Sequence, residues 1–285
     1  MTGGGFAYAK LNLSLDIISK MDDGYHSLKT VMQSVSLCDE IRVECVPGEG
    51  VHISDPGFSF LPKDERNIAV KAASAFFGYT GITGWKTGIR IKKSIPVGAG
   101  LGGGSADGAC VLRILDKMFA TNLNRETLIK LGIGIGSDVP FCIFGGTKLV
   151  EGRGEVLTDL PAIAQCHIVI CKPWFNCSTP ELYGRVNCKN IRIRPDTTGL
   201  VAALGKSDLP GVARYMYNVF EDILPRGKRD VEEIKYAMLD NGALGAVMSG
   251  SGPSVFGLFE KEANARMAYD SLKPDYKDCF LTSIQ

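Results

Sequence analysis

The chain has 285 residues, 45% of them hydrophobic, and a formal net charge of +1 with no block of five like charges, so it can build one large domain or two lobes and lacks the basic excess of a nucleic-acid or membrane-surface binder. Nine cysteines stand without a CxxC pair, and His26, His52 and His167 lie outside any zinc spacing, which predicts reduced thiols, no structural zinc and no protein-held metal. No apolar run approaches the ~20 residues of a membrane span, and "MTGGGF" lacks the basic and apolar parts of a signal peptide, so the expectation is a soluble cytoplasmic protein.

In chain order, residues 6–18 alternate, with Leu11, Leu13 and Leu15 on one face and Lys10, Asn12, Ser14 and Asp16 on the other. That pattern predicts a half-buried strand with an unusually polar outer face. A turn at Asp22-Asp23-Gly24 leads into a strand or helix, and 32–46 and 51–60 read as strands. Ile68, Ala72, Ala75 and Phe76 fall at helical spacing within 64–81, a helix expected to end on Gly78. Segment 86–95 alternates as a strand, and Ala109, Leu112, Leu115 and Phe119 mark another helix. A short helix over 125–136 is expected to break between Gly132 and Gly136; "VPFCIFGGTKLVEGRGEVL" (139–157) reads as two strands with glycine turns, and 166–174 as one more. From about 178 the texture turns helical, over 178–186, 198–205, 209–224 and 230–242, and closes on a strand, turn, strand hairpin at 245–259. Strands and helices mix without a regular βαβ beat, which favours an α+β fold. The compositional shift near 150–175 suggests two lobes, 1–155 and 156–285.

The segment "PVGAGLGGGSADGACVLRIL" (96–115) puts six glycines, at 98, 100, 102, 103, 104 and 108, at the start of a helix. Glycine admits positive φ and lets backbone N–H groups approach a ligand, and a helix start adds unpaired donors and positive dipole charge. Such a loop cradles an anion, typically a polyphosphate; the plainer alternative is a turn with Ser105 as helix N-cap. The common phosphate-loop patterns fail on context: no βαβ unit accompanies G-x-G-x-x-G, no lysine precedes Ser105, and no V-A-I-K or H-R-D follows. A cation must therefore come from elsewhere. Lys10 is either a solvated outer-face residue or an ion aimed into a cleft, with Asn12 on the same face. Asp138, in "GIGIGSDVPF", either caps a turn or orients an attacking hydroxyl. Phosphoryl transfer needs a cradle, a cation and a carboxylate.

Three segments, "AKLNLSL" (9–15), "PVGAGLGGGSADGA" (96–109) and "MSGSGPSVF" (248–256), resemble the signature segments of the GHMP small-molecule kinases. "DGYHSLKTVMQSVSLCD" (23–39), the triple glycine and "LGIGIGSDVPFCIFGGTKLVEGRGE" are similar to the branch acting on 4-diphosphocytidyl-2-C-methyl-D-erythritol. The resemblance spans about 6–260. It implies a two-lobed GHMP fold, with an N-terminal ribosomal protein S5 domain 2-like lobe and a C-terminal ferredoxin-like lobe, and ATP-dependent phosphorylation of the substrate's 2-hydroxyl. ATP would lie along Pro96, Val97, Gly98, Ala99, Gly100, Leu101, Gly102, Gly103, Gly104, Ser105 and Ala106, with Asn67 on the nucleotide side and Mg²⁺ accompanying it at Ser105. Lys10 and Asp138 match the catalytic pair; Tyr25, His26 and Tyr183 would grip the cytosine, and Asn12 the substrate's polar groups. Asn67 read alone is equally a helix N-cap, and His26 a surface turn residue. Trp174-Phe175-Asn176 and Tyr8 depart from the smaller residues expected there. A monomer or weak homodimer is expected, without nucleic acid or membrane partners; the alternatives are another GHMP kinase, for mevalonate, homoserine or a sugar, and a non-catalytic nucleotide-binding regulator.

Overall fold

The computed structural model describes every residue except positions 23, 189, 225 and 226; Asp23, the first residue of the "DGYH" segment, is thus outside the described residues. The chain divides into two compact units, one of residues 1–9, 38–97 and 102–145, the other of 10–37, 98–101 and 146–285. The boundary expected at 155/156 is a division along the sequence, whereas these units interleave along it. Strands β1 (Thr2–Lys20) and β2 (His26–Pro47) each contribute a segment to both.

In the first unit, the end of β2 pairs antiparallel with β4 (Trp85–Lys92), from Glu40↔Lys92 to Pro47↔Trp85, and β3 (Val51–Asp55) runs parallel to β4. Ile41, Val43 and Cys45 alternate with exposed Arg42, Glu44 and Val46, so the period of two buries one sheet face. Four helices accompany this sheet: α1 (Ile68–Thr80), α2 (Gly103–Met118), α3 (Arg125–Ile135) and α4 (Val139–Phe144). Helices α1 and α2 approach closely because Gly108 has no Cβ; one there would stand 2.7 Å from Ile68 Cγ2. Phe76 packs edge-on to Phe77 and, with it, against Phe119, which also meets Trp85.

In the second unit, the start of β2 pairs with β5 (Thr147–Gly152), which pairs with β6 (Val156–Asp159). A four-stranded antiparallel sheet follows in the order β11-β7-β10-β9, formed by β7 (His167–Lys172), β9 (Gly245–Met248), β10 (Val255–Phe259) and β11 (Asp278–Ser283). Helices α5 (Thr179–Arg185), α6 (Thr197–Gly205), α7 (Leu209–Tyr215), α8 (Lys228–Asp240) and α9 (Glu262–Leu272) complete it. Val169, Cys171, Phe259, Met238, Ala265 and Leu272 share one core with Leu15, Ile17 and Phe220. None of the nine cysteines is disulfide-bonded, and burial pushes Cys110 up to about 11 and Cys166 to about 12, so both stay thiols. Among the described residues no helix is long and apolar enough to cross a membrane.

Several expectations change. The outer face of β1 is buried, with Lys10 at 3%, Asn12 and Ser14 at 0% and Asp16 at 6% exposure, because side-chain hydrogen bonds satisfy it. "VPFCIF" is the helix α4, not a strand: Pro140 in its first turn suits a helix start, and five of its six residues are buried, so no alternation distinguishes the two. Helix α1 passes through Gly78 and stops at Gly81, which takes φ 69°. Helix α3 runs to Ile135 and ends on Gly136, inside the expected interval; at Gly132 an added Cβ would lie 3.2 Å from Pro140 N, so that glycine admits α4. The helix expected over 209–224 ends at Tyr215, where β8 (Tyr217–Asn218) pairs with β1 and a 3₁₀ turn (Val219–Ile223) follows. The strand expected over 51–60 ends at Asp55.

Phe76 is fully buried. Phe76→Ala is expected to lower the unfolding free energy by about 3–5 kcal/mol, read by urea denaturation; a loss below about 1 kcal/mol would contradict the packing described.

Candidate active site

The glycine run owes its path to bare backbone. Gly98, Gly100 and Gly102 take φ of 65°, 75° and 70°, in the left-handed region that side chains resist. At Gly100 the constraint is also steric, since a Cβ would collide with the Ser249 carbonyl oxygen and lie 2.8 Å from Gly252 N. Ser249 Oγ donates to Gly100 O at 3.0 Å, Ser254 N to Ala99 O at 3.2 Å and Lys10 N to Leu101 O at 3.0 Å. Asn218 Nδ2 secures the other side of the 248–254 turn by donating to Met248 O (2.7 Å) and Gly250 O (2.8 Å). Residues 98–101 are therefore tied to both β1 and that turn. Pro96 is buried and Val97 exposed where the chain enters the run.

Beyond the loop, Gly102 is the N-cap of α2, with no side-chain cap, and the first helical bond runs from Ala106 N to Gly102 O at 2.8 Å. The N–H groups of Gly103, Gly104 and Ser105 precede that bond, the usual arrangement of donors for an anion. Ser105 lies in the first turn and is not the cap. A Cβ on Gly136 would stand 3.8 Å from Ser105 Oγ, so the turn that carries Asp138 passes beside this serine. Asp138 caps α4 through its backbone, with no side-chain cap bond, and is partly buried. Asn67 caps α1: its Oδ1 accepts from Ala69 N at 3.0 Å, and its Nδ2 donates to Pro62 O at 2.9 Å.

In the second unit, Lys10 Nζ donates to Asn12 Oδ1 at 2.6 Å, Asn12 Nδ2 to Thr30 Oγ1 at 2.8 Å, and Thr30 Oγ1 to Ser14 O at 2.5 Å. Asn12 N also donates to Ser249 Oγ at 3.3 Å. A Cβ on Gly250 would stand 2.9 Å from Lys10 Nζ, so the ammonium sits against the backbone of the third signature segment. Asn12 is engaged at both ends of its amide and positions Lys10. The structure thus brings together Lys10, Asn12, Gly98–Leu101 and the 248–254 turn.

The aromatic candidates gather in the same unit. The rings of His26 and Tyr183 lie 5.1 Å apart, and Tyr183 packs edge-on against Phe220 at 5.0 Å. Tyr25 is 53% exposed, with the Arg153 guanidinium 3.8 Å over its ring. Burial, then the nearby Lys20 charge, lowers His26 from its ordinary 6.5, so the ring is neutral at pH 7. Asn176 stands beside Gly98, within 3.5 Å of where its Cβ would be, Phe175 packs on the same core as Tyr183, and Trp174 is 75% exposed. Tyr8 packs against Phe6 in the first unit. Among the described residues no group of three or more His, Cys, Asp and Glu side chains could hold a metal ion.

The family description "GHMP kinases N terminal domain" matches residues 67–146, and "GHMP kinases C terminal" matches 200–278. The chain is 44% identical over 278 residues, 97% of its length and 98% of the relative's, to a 4-diphosphocytidyl-2-C-methyl-D-erythritol kinase of Clostridium botulinum strain Langeland. To the Clostridium kluyveri protein of that name it is 41% identical with the same coverage. The chain belongs to the GHMP kinases, in the 4-diphosphocytidyl-2-C-methyl-D-erythritol kinase family. A crystal structure of 4-(cytidine 5'-diphospho)-2C-methyl-D-erythritol kinase superposes with TM-score 0.80 at 30% identity, covering 99% of this chain and 98% of that one. Homoserine kinase from Cytophaga hutchinsonii shares the fold, with TM-score 0.76 at 21% identity, covering 99% and 95%.

This GHMP kinase accordingly has the two-lobed α+β fold that the resemblance implied, and carries out ATP-dependent phosphotransfer. Sequence reasoning missed Thr30 and Asn218, ordinary polar residues in apolar strands until their partners are visible, and Arg153, whose only signal is its place between Gly152 and Gly154. It also missed the buried Lys93 between Asp39 and Asp107. Burial raises the Asp107 carboxyl against the pull of Lys93, while the two carboxylates outweigh burial and raise Lys93.

Two outcomes follow from this geometry. Gly100→Ala is expected to cost more than about 1 kcal/mol, the strain of a left-handed alanine alone, by urea denaturation; no measurable loss would refute the close approach to Ser249. The His26 ring is expected to titrate below 6.5 by NMR, and Lys20→Gln to raise its pKa. The stability linked to the neutral ring is then complete above 6.5 and lost as the pH falls through the ring's own, lower pKa. Titration at or above 6.5 would contradict this.

Proposed function

We propose that this GHMP kinase transfers the γ-phosphoryl group of ATP to the 2-hydroxyl of 4-diphosphocytidyl-2-C-methyl-D-erythritol, a step of non-mevalonate isoprenoid precursor synthesis. The observation that carries the substrate is the His26–Tyr183 ring pair next to Tyr25, in a chain whose full-length relatives bear that substrate's name. A neutral imidazole can both donate and accept hydrogen bonds at the edge of a cytosine, and tyrosine rings offer it stacking faces.

In this reading the N–H groups of the glycine run and of the first turn of α2 hold the phosphates, with Asn67 on the nucleotide side. Asp138 takes or orients the proton of the 2-hydroxyl. The substrate oxygen forms a bond to the γ-phosphorus as the bond from that phosphorus to the bridging oxygen of ADP breaks, and Lys10 balances the charge that develops. Asn12, whose amide is taken up by Lys10 and Thr30, serves the substrate through Lys10. Mg²⁺ carried by ATP needs only one or two protein oxygens, and Ser105 Oγ would be one of them. The ion would neutralise phosphate charge. The reading also places the protein in the cytoplasm, in keeping with nine cysteines that form no disulfide, as a monomer or weak homodimer without a nucleic-acid partner.

The test is ADP release by the purified protein with Mg²⁺ and ATP, with and without 4-diphosphocytidyl-2-C-methyl-D-erythritol, and with CMP as competitor. Substrate-dependent ADP that CMP suppresses is expected; ADP release with mevalonate, homoserine or a sugar instead would favour another GHMP activity, and ATP binding without transfer a regulator. Lys10→Ala and Asp138→Asn are each expected to lower kcat by at least about 100-fold, and a variant with near-normal turnover would remove its residue from the mechanism.

A further inference from the structure

Outside the residues assigned above, the first unit contains a buried ion cluster. Lys93 Nζ lies 2.5 Å from Asp39 Oδ2 and 2.8 Å from Asp107 Oδ2, with side-chain exposures of 4%, 0% and 6% for Lys93, Asp39 and Asp107. Asp39 Oδ1 also accepts from Ser94 N at 2.6 Å and Ile95 N at 2.8 Å. Asp107 Oδ1 is buried without a hydrogen-bond partner. An apolar replacement for a buried ion cluster of this kind is often no less stable. Stability alone is therefore a poor reason to keep it.

Its position in the chain supplies another reason. Ser94 and Ile95 immediately precede the glycine run, and Asp107 lies one turn into α2, immediately after it. A Cβ on Gly103 would stand 3.0 Å from Ile95 Cγ2 and 3.4 Å from Lys93 Nζ, so the start of α2 rests on the same group of atoms. One ammonium thus joins the strand end entering the loop to the helix leaving it.

We propose that Lys93, clamped between Asp39 and Asp107, is a positioning residue for the nucleotide: the cluster sets the span of the glycine loop and with it the affinity for the phosphates of ATP. The inference rests on the ATP reading of that loop. Asp107→Ala removes the tether to α2 and leaves the charge-balanced Lys93–Asp39 pair, while Asp39→Asn keeps an acceptor for Ser94 and Ile95 but turns an amide toward Lys93 and leaves a balanced Lys93–Asp107 pair.

Each variant, as full-length protein with folding checked by circular dichroism, is titrated with ATP by calorimetry without the alcohol substrate, and KM is measured for both substrates. The expected result is a rise of about tenfold in Kd and KM for ATP, with KM for the alcohol substrate within about twofold, and retention of near-normal ATP affinity by Asp107→Asn, which still offers Lys93 an acceptor. A folded Asp107→Ala or Asp39→Asn protein with unchanged ATP affinity, or equal weakening of both substrates, would overturn the proposal; should one variant not fold, the other decides. If the unaltered protein binds no ATP, the ATP reading itself fails, and this inference with it.

Discussion

The contact on which the rest depends is backbone against backbone: Gly100 lies so close to Ser249 that no side chain fits between them. The approach goes with positive φ at Gly98 and Gly100, lets Ser249 Oγ reach Gly100 O, and leaves Leu101 O for the Lys10 amide. Three stretches far apart in sequence, around 10, 100 and 249, are thereby held in register within one unit. Donors fixed in this way need little reorganisation when charge arrives, which is where electrostatic stabilisation gains its strength.

The second consequence concerns strand β1. A strand that buries both faces usually does so with apolar side chains, yet here one face carries Lys10, Asn12, Ser14 and Asp16. Burying a lysine costs several kcal/mol unless it is hydrogen-bonded and charge-compensated. The Lys10–Asn12–Thr30–Ser14 chain supplies hydrogen bonds, and Arg194 reaches Asp16 at 2.7 Å. Such a buried ammonium is poorly explained by stability alone.

Much of this was legible in the sequence, for identifiable reasons. Glycine density marked the loop because only glycine adopts those φ values cheaply, and periodicity located α1, α2, β4 and the β9–β10 hairpin. What escaped was decided by tertiary partners. "VPFCIF" is apolar at every position, so neither period shows, and it folds as α4. The polar face of β1 was open between solvent and cleft because its partners, Thr30 on β2 and Ser249, lie 18 and 237 residues away from Asn12. Lys93 lay unremarked in the alternating segment 86–95; the available signal was Asp107, an acidic residue on the otherwise apolar face of α2 with Cys110, Val111 and Ile114. Asn67 was open between cap and nucleotide contact, and its cap bond to Ala69 is now visible.

The most direct test of the central claim is a crystal structure of the protein with a non-hydrolysable ATP analogue and 4-diphosphocytidyl-2-C-methyl-D-erythritol. The account predicts the β- and γ-phosphates on the N–H groups of the glycine run and α2's first turn, with the substrate's 2-hydroxyl facing the γ-phosphorus between Lys10 and Asp138. Phosphates bound away from that run, or a hydroxyl out of reach of both side chains, would contradict it.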